Sequence, residues 1–155
     1  MLADQKTYLK ITLGLTTAGT LFSGYLTAVR LLTGSCAFNE SCPFFLGYPA
    51  CWYGFAMFAS MLGVSVAALT GRLNVEPAAK TIGGISFLGT IFAGHFVWAE
   101  VSSWLAARSA NYQLVLPTCV YGLAFYLAIL ILSIWELTHR KVVRPEGRPR
   151  IVGAP

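Results

Sequence analysis

Four cysteines, Cys36, Cys42, Cys51 and Cys119, are the residues of this 155-residue chain best suited to covalent chemistry. Two of them sit in a repeated motif. Residues 48–54 read YPACWYG and residues 116–122 read LPTCVYG, sharing Pro-x-Cys-x-Tyr-Gly. Proline is favoured in the first turn of a helix, where its missing N–H costs nothing. If Pro49 and Pro117 open helices, Cys51 and Cys119 lie in first turns. The positive end of a helix dipole there favours thiolate, and apolar burial favours the thiol. The pair reads as a redox site, as two packing residues or as one inert staple. Cys36 and Cys42 lie in the loop SCAFNESCPFFLG, and their spacing is compatible with a local disulfide whose plain use is a loop clip. Four cysteines allow three connectivities, and sequence does not choose among them. Neither His95 nor His139 is expected beside this loop, so no metal site is read. The NES at 39–41 fits an N-glycosylation sequon, which matters only in a eukaryotic secretory setting. No nucleotide-binding loop, haem motif or hydrolase motif occurs.

The elements that must position these thiols are membrane helices. The chain is 56% hydrophobic and 11% charged, against about 25% charged in a soluble domain. Residues 11–29, 41–71, 81–99 and 109–135 hold no Asp, Glu, Lys or Arg. A bilayer core needs about 20 apolar residues per helix, and backbone polar groups cannot stay unpaired in lipid. The expected architecture is an all-α integral membrane domain over 1–137, a four-transmembrane-helix bundle with spans near 11–33, 48–70, 82–104 and 115–137. The first apolar run is too long for a secretory signal and lacks a cleavage site, so it reads as a retained span. A basic tail over 138–155 follows and is expected to be poorly ordered.

The net charge of +5 reports topology and not nucleic acid. Lys6, Lys10, Arg72, Lys80, Arg140, Lys141, Arg144, Arg148 and Arg150 fall on one side of a four-span chain, and Arg30 and Arg108 near the other. The positive-inside rule puts both termini in the cytoplasm. All four cysteines then face the extracytoplasmic side, where disulfides are permitted. The basic tail also suits contact with anionic membrane lipid.

The chain repeats itself. Residues 19–32, GTLFSGYLTAVRLL, match 89–102, GTIFAGHFVWAEVS, and residues 49–58, PACWYGFAMF, match 117–126, PTCVYGLAFY. Two matches in the same order indicate a duplicated helical hairpin. Two spans per copy make the copies parallel, related by an approximate two-fold axis along the membrane normal. Residues near such an axis face their counterparts, so three pairs are expected: Cys51 with Cys119, Arg30 with Glu100, and Tyr25 with His95. Small residues let helices approach closely in lipid. Gly19, Gly24, Gly89 and Gly94 therefore read as contact points, and Gly83 and Gly84 as a flexible start to the third span.

The order of these features resembles the vitamin K epoxide reductase family, over roughly residues 10–137. The matching residues are the loop cysteines Cys36 and Cys42, then Gly47-Tyr48-Pro49 at the second helix, then Cys119 opening the last helix. The resemblance implies a four-helix bundle in which the loop pair passes electrons to a C-x-x-C pair beside a quinone. Cys119 matches the first member of that pair. The second falls on Gly122, and the loop cysteines stand closer together than is usual in the family. Cys51, facing Cys119 across the axis, is the candidate replacement, because a thiol relay needs two pairs within reach. A quinone site needs a mostly apolar pocket with a few polar groups. Tyr25, His95, Trp98, Trp52, Tyr53 and Tyr121 are its candidate lining, with His95 able to hydrogen-bond a carbonyl oxygen. The competing reading puts these aromatics in the interfacial belt and His95 in a bundle contact.

Three functions follow. The first is a quinone-linked thiol–disulfide oxidoreductase served by a thioredoxin-like or other membrane protein partner. The second is a non-catalytic four-helix scaffold or subunit of a larger membrane assembly. The third, a small transporter or channel, has too few charges within its spans to mark an ion path.

Overall fold

The structure is a computed structural model that describes residues 2–34, 44–107 and 118–143. Four helices, α1 (Leu2–Thr33), α2 (Ala50–Leu69), α3 (Val75–Ala107) and α4 (Thr118–Val143), account for nearly all of them. A small hairpin, β1 (Phe44–Phe45) and β2 (Tyr48–Pro49), leads into α2. Length and composition make α2, α3 and α4 capable of crossing a membrane. The first helix is not among them, because the threonines, serine and glycines between Thr12 and Thr27 dilute its apolar content.

Helix α1 packs most extensively on α2 and α3 on α4, and the two hairpins meet through α2 against α3 and α1 against α4. The turn between them is short. Arg72 N donates to Ala67 O at 2.9 Å and Gly71 N to Ala68 O at 3.2 Å, with Gly71 at φ 75°. This is a Schellman closure, which satisfies the last carbonyls of α2 and needs a left-handed residue. Helix α3 restarts at once, with Ala78 N donating to Asn74 O at 3.2 Å and Glu76 in the first turn. The Glu76–Lys80 ion pair at 2.7 Å is exposed on both sides and contributes little to stability.

Burial follows the repeat position by position. Buried residues on α1 are Tyr8, Leu9, Thr12, Thr16, Gly19 and Ser23. Those on α3 are Ala78, Ala79, Ile82, Ser86, Gly89 and Ala93, each 70 positions later. Apart from Ala50, α2 buries Phe58, Met61, Ser65 and Ala68, and α4 buries Tyr126, Ile129, Ser133 and Glu136, each 68 positions later. The closest approaches repeat too. A Cβ at Gly19 would lie 2.4 Å from the Phe58 ring, and one at Gly89 would lie 2.4 Å from the Tyr126 ring. These two rings stack on each other, 4.4 Å apart and 13° from parallel. The centre of the bundle is therefore two glycines pressed onto two stacked rings.

Below the stack, buried hydroxyls are interspersed with apolar side chains such as Met61, Ile82 and Ile129. The hydroxyls of Thr16 and Ser65 donate to the carbonyls of Thr12 and Met61 in their own helices, each at 2.8 Å, a bond that satisfies a hydroxyl in an apolar setting. Between helices, the Tyr8 and Ser133 hydroxyls are 3.2 Å apart and Ser86 Oγ lies 3.2 Å from Met61 Sδ. Thr12 Oγ1 is fully buried with no hydrogen-bond partner among the described residues.

Several expectations shift. Helix α3 begins at Val75 and not near 82, so Gly83 and Gly84 are interior helix residues and not a flexible start. A Cβ at Gly83 would come within 3.2 Å of Ser133, which makes it a contact between α3 and α4. Of the expected contact glycines, Gly19, Gly24 and Gly89 meet a facing ring, and Gly94 meets nothing within 4 Å. Helix α4 runs on to Val143, into the expected tail, and the remainder from 144 lies outside the described residues. The expected Tyr25–His95 pairing is corrected. Each stands two positions beyond a buried residue, Ser23 or Ala93, about 200° around the helix. Both are exposed and point away from the core. For the expected Arg30–Glu100 pair, the Glu100 side chain lies outside the described residues. The Arg30 guanidinium donates to the Gly34 carbonyl and lies 5.5 Å from the Phe44 ring centroid.

The glycine contacts give a matched test. G19A and G89A force a methyl into the ring planes and should each destabilise by about 1–3 kcal/mol. G14A and G84A enter open space and should be neutral or stabilise by up to about 1 kcal/mol through helix propensity. Thermal unfolding in detergent should lower the midpoint for the first pair alone.

Candidate functional site

Cys51 and Cys119 are the second residues of α2 and α4. Pro49 caps α2 with φ −60° and ψ 136° and supplies no side-chain hydrogen bond, while Pro117 lies outside the described residues. The first N–H groups of a helix have no partner within it, so each thiol stands at the positive end of a helix dipole. The Thr27 hydroxyl reaches from α1 to the Cys51 carbonyl at 3.4 Å and ties the start of α2 to the first helix.

Both cysteines line one cavity of about 90 Å³ above the Phe58–Tyr126 stack. Its walls come in pairs related by the repeat: Phe22 with Phe92, Cys51 with Cys119, and Gly54 with Gly122. The cavity therefore sits on the approximate two-fold axis. No disulfide joins the two cysteines. Polar groups are few and break the symmetry. Ser23 faces Ala93, Thr118 answers Ala50, and Tyr126 answers Phe58. Ser23 Oγ donates to Gly19 O at 2.7 Å, and the Tyr126 hydroxyl donates across the bundle to Gly54 O at 3.4 Å.

The six residues expected to line a quinone pocket are elsewhere. Tyr25 and Trp98 are 58% and 76% exposed on outward faces, and His95 is exposed beside the Phe96 ring, 5.5 Å between centroids. Trp52 is half-buried against Tyr48, with its indole Nε1 buried and unpartnered among the described residues. Tyr53 and Tyr121 stand one layer behind the cavity. Tyr53 packs on Phe92 at 5.7 Å and Tyr121 on Phe22 at 6.0 Å, so each braces a ring that does line it. Small-molecule pockets usually measure about 300–1,000 Å³. At about 90 Å³ the cavity is smaller than that range, and none of the six side chains lines it. Cys36 and Cys42, with the sequon at Asn39, lie outside the described residues.

Sequence reasoning missed Phe22, Phe92, Phe58 and Tyr126 as site residues. The signal was present, because all four fall at matched positions of the repeat. Periodicity places Phe58 seven residues after Cys51 and Tyr126 seven after Cys119, two helical turns along the same face. The outward direction of Tyr25, His95 and Trp98 follows from the same wheel once the buried face is known.

The site has room where the resemblance places a cysteine. A Cβ at Gly122 meets nothing within 4 Å, and the position is three residues after Cys119 on the same face. G122C should fold with a stability change below about 1 kcal/mol, the scale of glycine's helix cost. Oxidation should then give a Cys119 disulfide to the introduced thiol, visible as a cross-linked peptide by mass spectrometry. No family model, curated protein or solved structure matches this chain.

Proposed function

We propose that this chain is a four-span membrane protein built from a duplicated helical hairpin, with both termini cytoplasmic, and that it is a thiol–disulfide oxidoreductase acting at the extracytoplasmic end. The observation that carries the reading is the convergence of Cys51 and Cys119, from separate hairpins, on one apolar cavity at the approximate two-fold axis. The sidedness rests on the distribution of Lys and Arg, and the fourth span on the burial match between α1 and α3.

The chemistry is dithiol–disulfide exchange. A thiolate from the reduced pair attacks a disulfide in a partner protein of thioredoxin-like type, forming a mixed disulfide and releasing one partner thiolate. The second thiol of the pair attacks its neighbour's sulfur, closes the Cys51–Cys119 bond and releases the other partner thiolate. Two electrons and two protons move to the partner, and the reverse sequence oxidises it. Cys36 and Cys42 provide the second dithiol of a relay. A quinone acceptor would require the cavity to enlarge.

A second reading, the non-catalytic scaffold, is favoured by the small cavity and by the bracing role of Tyr53 and Tyr121, which serve packing. Disulfide mapping separates the two. After free thiols are trapped in detergent-purified protein, Cys51 and Cys119 should appear bridged under mild oxidant and open under mild dithiol. C51S and C119S should each trap a mixed disulfide through the remaining cysteine. A quinone should alter the ratio only if it serves as the electron acceptor. Thiols that stay reduced, or a bridge that never opens, would leave the scaffold reading.

A further inference from the structure

The hairpin before α2 presents apolar side chains to its surroundings: Phe44 is 55% exposed, Phe45 40%, Leu46 80% and Tyr48 55%. Its two-residue turn is Leu46-Gly47, with φ of 49° and 84°. Positive φ at both central residues marks the type I′ turn that suits the twist of a hairpin, and asparagine or glycine normally fills these positions. A leucine there bears the left-handed conformation disfavoured for side chains with a Cβ, and its tip would also stand in water. Nothing among the described residues repays either cost, since the side chain is the most exposed of the hairpin. The cost is offset if the tip rests in an apolar medium.

Position supplies that medium. Helix α2 has 20 residues, about 30 Å at 1.5 Å per residue, which matches the hydrocarbon thickness of a bilayer. Ala50 then lies at one edge of the hydrocarbon, and the hairpin, joined directly to it, lies in the interfacial layer. No charged residue occurs between Glu40 and Arg72, so nothing in the hairpin opposes burial among headgroups and upper acyl chains. The hairpin is also held at this level. Phe45 packs edge-on against Phe92 at 5.3 Å and Tyr53 at 5.5 Å, and the Tyr53 hydroxyl donates to the Phe45 carbonyl at 3.2 Å. On α2, which the hairpin joins directly, Phe55 is also exposed.

We infer that the Phe44–Tyr48 hairpin is a lipid-docking element, with Leu46 and its neighbouring aromatics seated in the interfacial layer of the membrane on the side where α2 begins. The inference rests on the membrane-spanning reading, and its test keeps the two apart. A nitroxide is attached at L46C in full-length chain reconstituted in phospholipid bilayers, with the four native cysteines replaced by serine. Matching labels at L88C, in the exposed middle of α3, and at R72C, in the α2–α3 turn, serve as lipid and aqueous standards. Collision with oxygen should exceed collision with a water-soluble nickel complex at position 46, as at 88 and unlike 72. In the chain with native cysteines, L46W gives an independent reading. Its added fluorescence should be quenched by lipids brominated near the headgroup. A label at 46 as open to nickel as the one at 72 overturns the inference. So does one shielded from both reagents, as a covering protein would leave it. If position 88 itself reads as aqueous, the membrane-spanning reading fails and the hairpin inference with it.

Discussion

The structure depends on one close approach made twice. Gly19 lets the Phe58 ring lie against the backbone of α1, and Gly89 lets the Tyr126 ring lie against α3. Only a residue without a side chain permits this distance, and in lipid the gain comes from packing, since hydrophobic exclusion does not drive helices together there. Because each ring is pulled toward its own partner helix, the two faces left over meet in the centre as a stack. Helix spacing within each hairpin and the contact between hairpins thus come from the same four residues.

The cavity is a consequence of that stack. The rings form its floor, and the glycines at 54 and 122 leave its sides open where larger residues would fill them. Phe22 and Phe92 wall it, held by Tyr121 and Tyr53 from the opposite hairpin. The two thiols sit at its rim because they begin α2 and α4, two helical turns above the floor. Below the floor, buried serines and threonines sit among apolar residues such as Met61, Ile82 and Ile129. Thr16 and Ser65 return their hydroxyl protons to their own helices, while Ser86 and Ser133 reach across to Met61 and Tyr8. Thr12 departs from this pattern as a buried hydroxyl without a partner among the described residues.

Much of this was legible in the sequence, and what was not has a physical reason. The matched strings around Gly19 and Gly89, and around Cys51 and Cys119, fixed which residues are equivalent, and burial obeys that equivalence along all four helices. Equivalence does not say which way a side chain points. For Tyr25, His95 and Trp98, residue type alone left a pocket lining and an interfacial or packing role both open, and the helical wheel turns them outward. Gly83 and Gly84 read as a helix start because glycine weakens helices in water; against Ser133, Gly83 is a packing surface. Helix boundaries moved for a related reason. Hydropathy marks the apolar part of a helix, and α3 and α4 continue past it into polar residues that remain helical.

The connection between the hairpins is only a tight turn around Gly71, and it changes what the symmetry costs. Two identical hairpins meeting in a membrane as separate chains would have to carry every substitution on both sides of the axis at once. A tether removes that restriction. One side can gain a hydroxyl or a carboxyl while the other keeps its shape, as Tyr126 opposite Phe58, Glu136 opposite Ala68 and Ser23 opposite Ala93 illustrate. The tether also replaces a search in the plane of the bilayer by a local encounter at high effective concentration. A weak interface between halves is then sufficient, and sequence is released from holding the halves together to making them different.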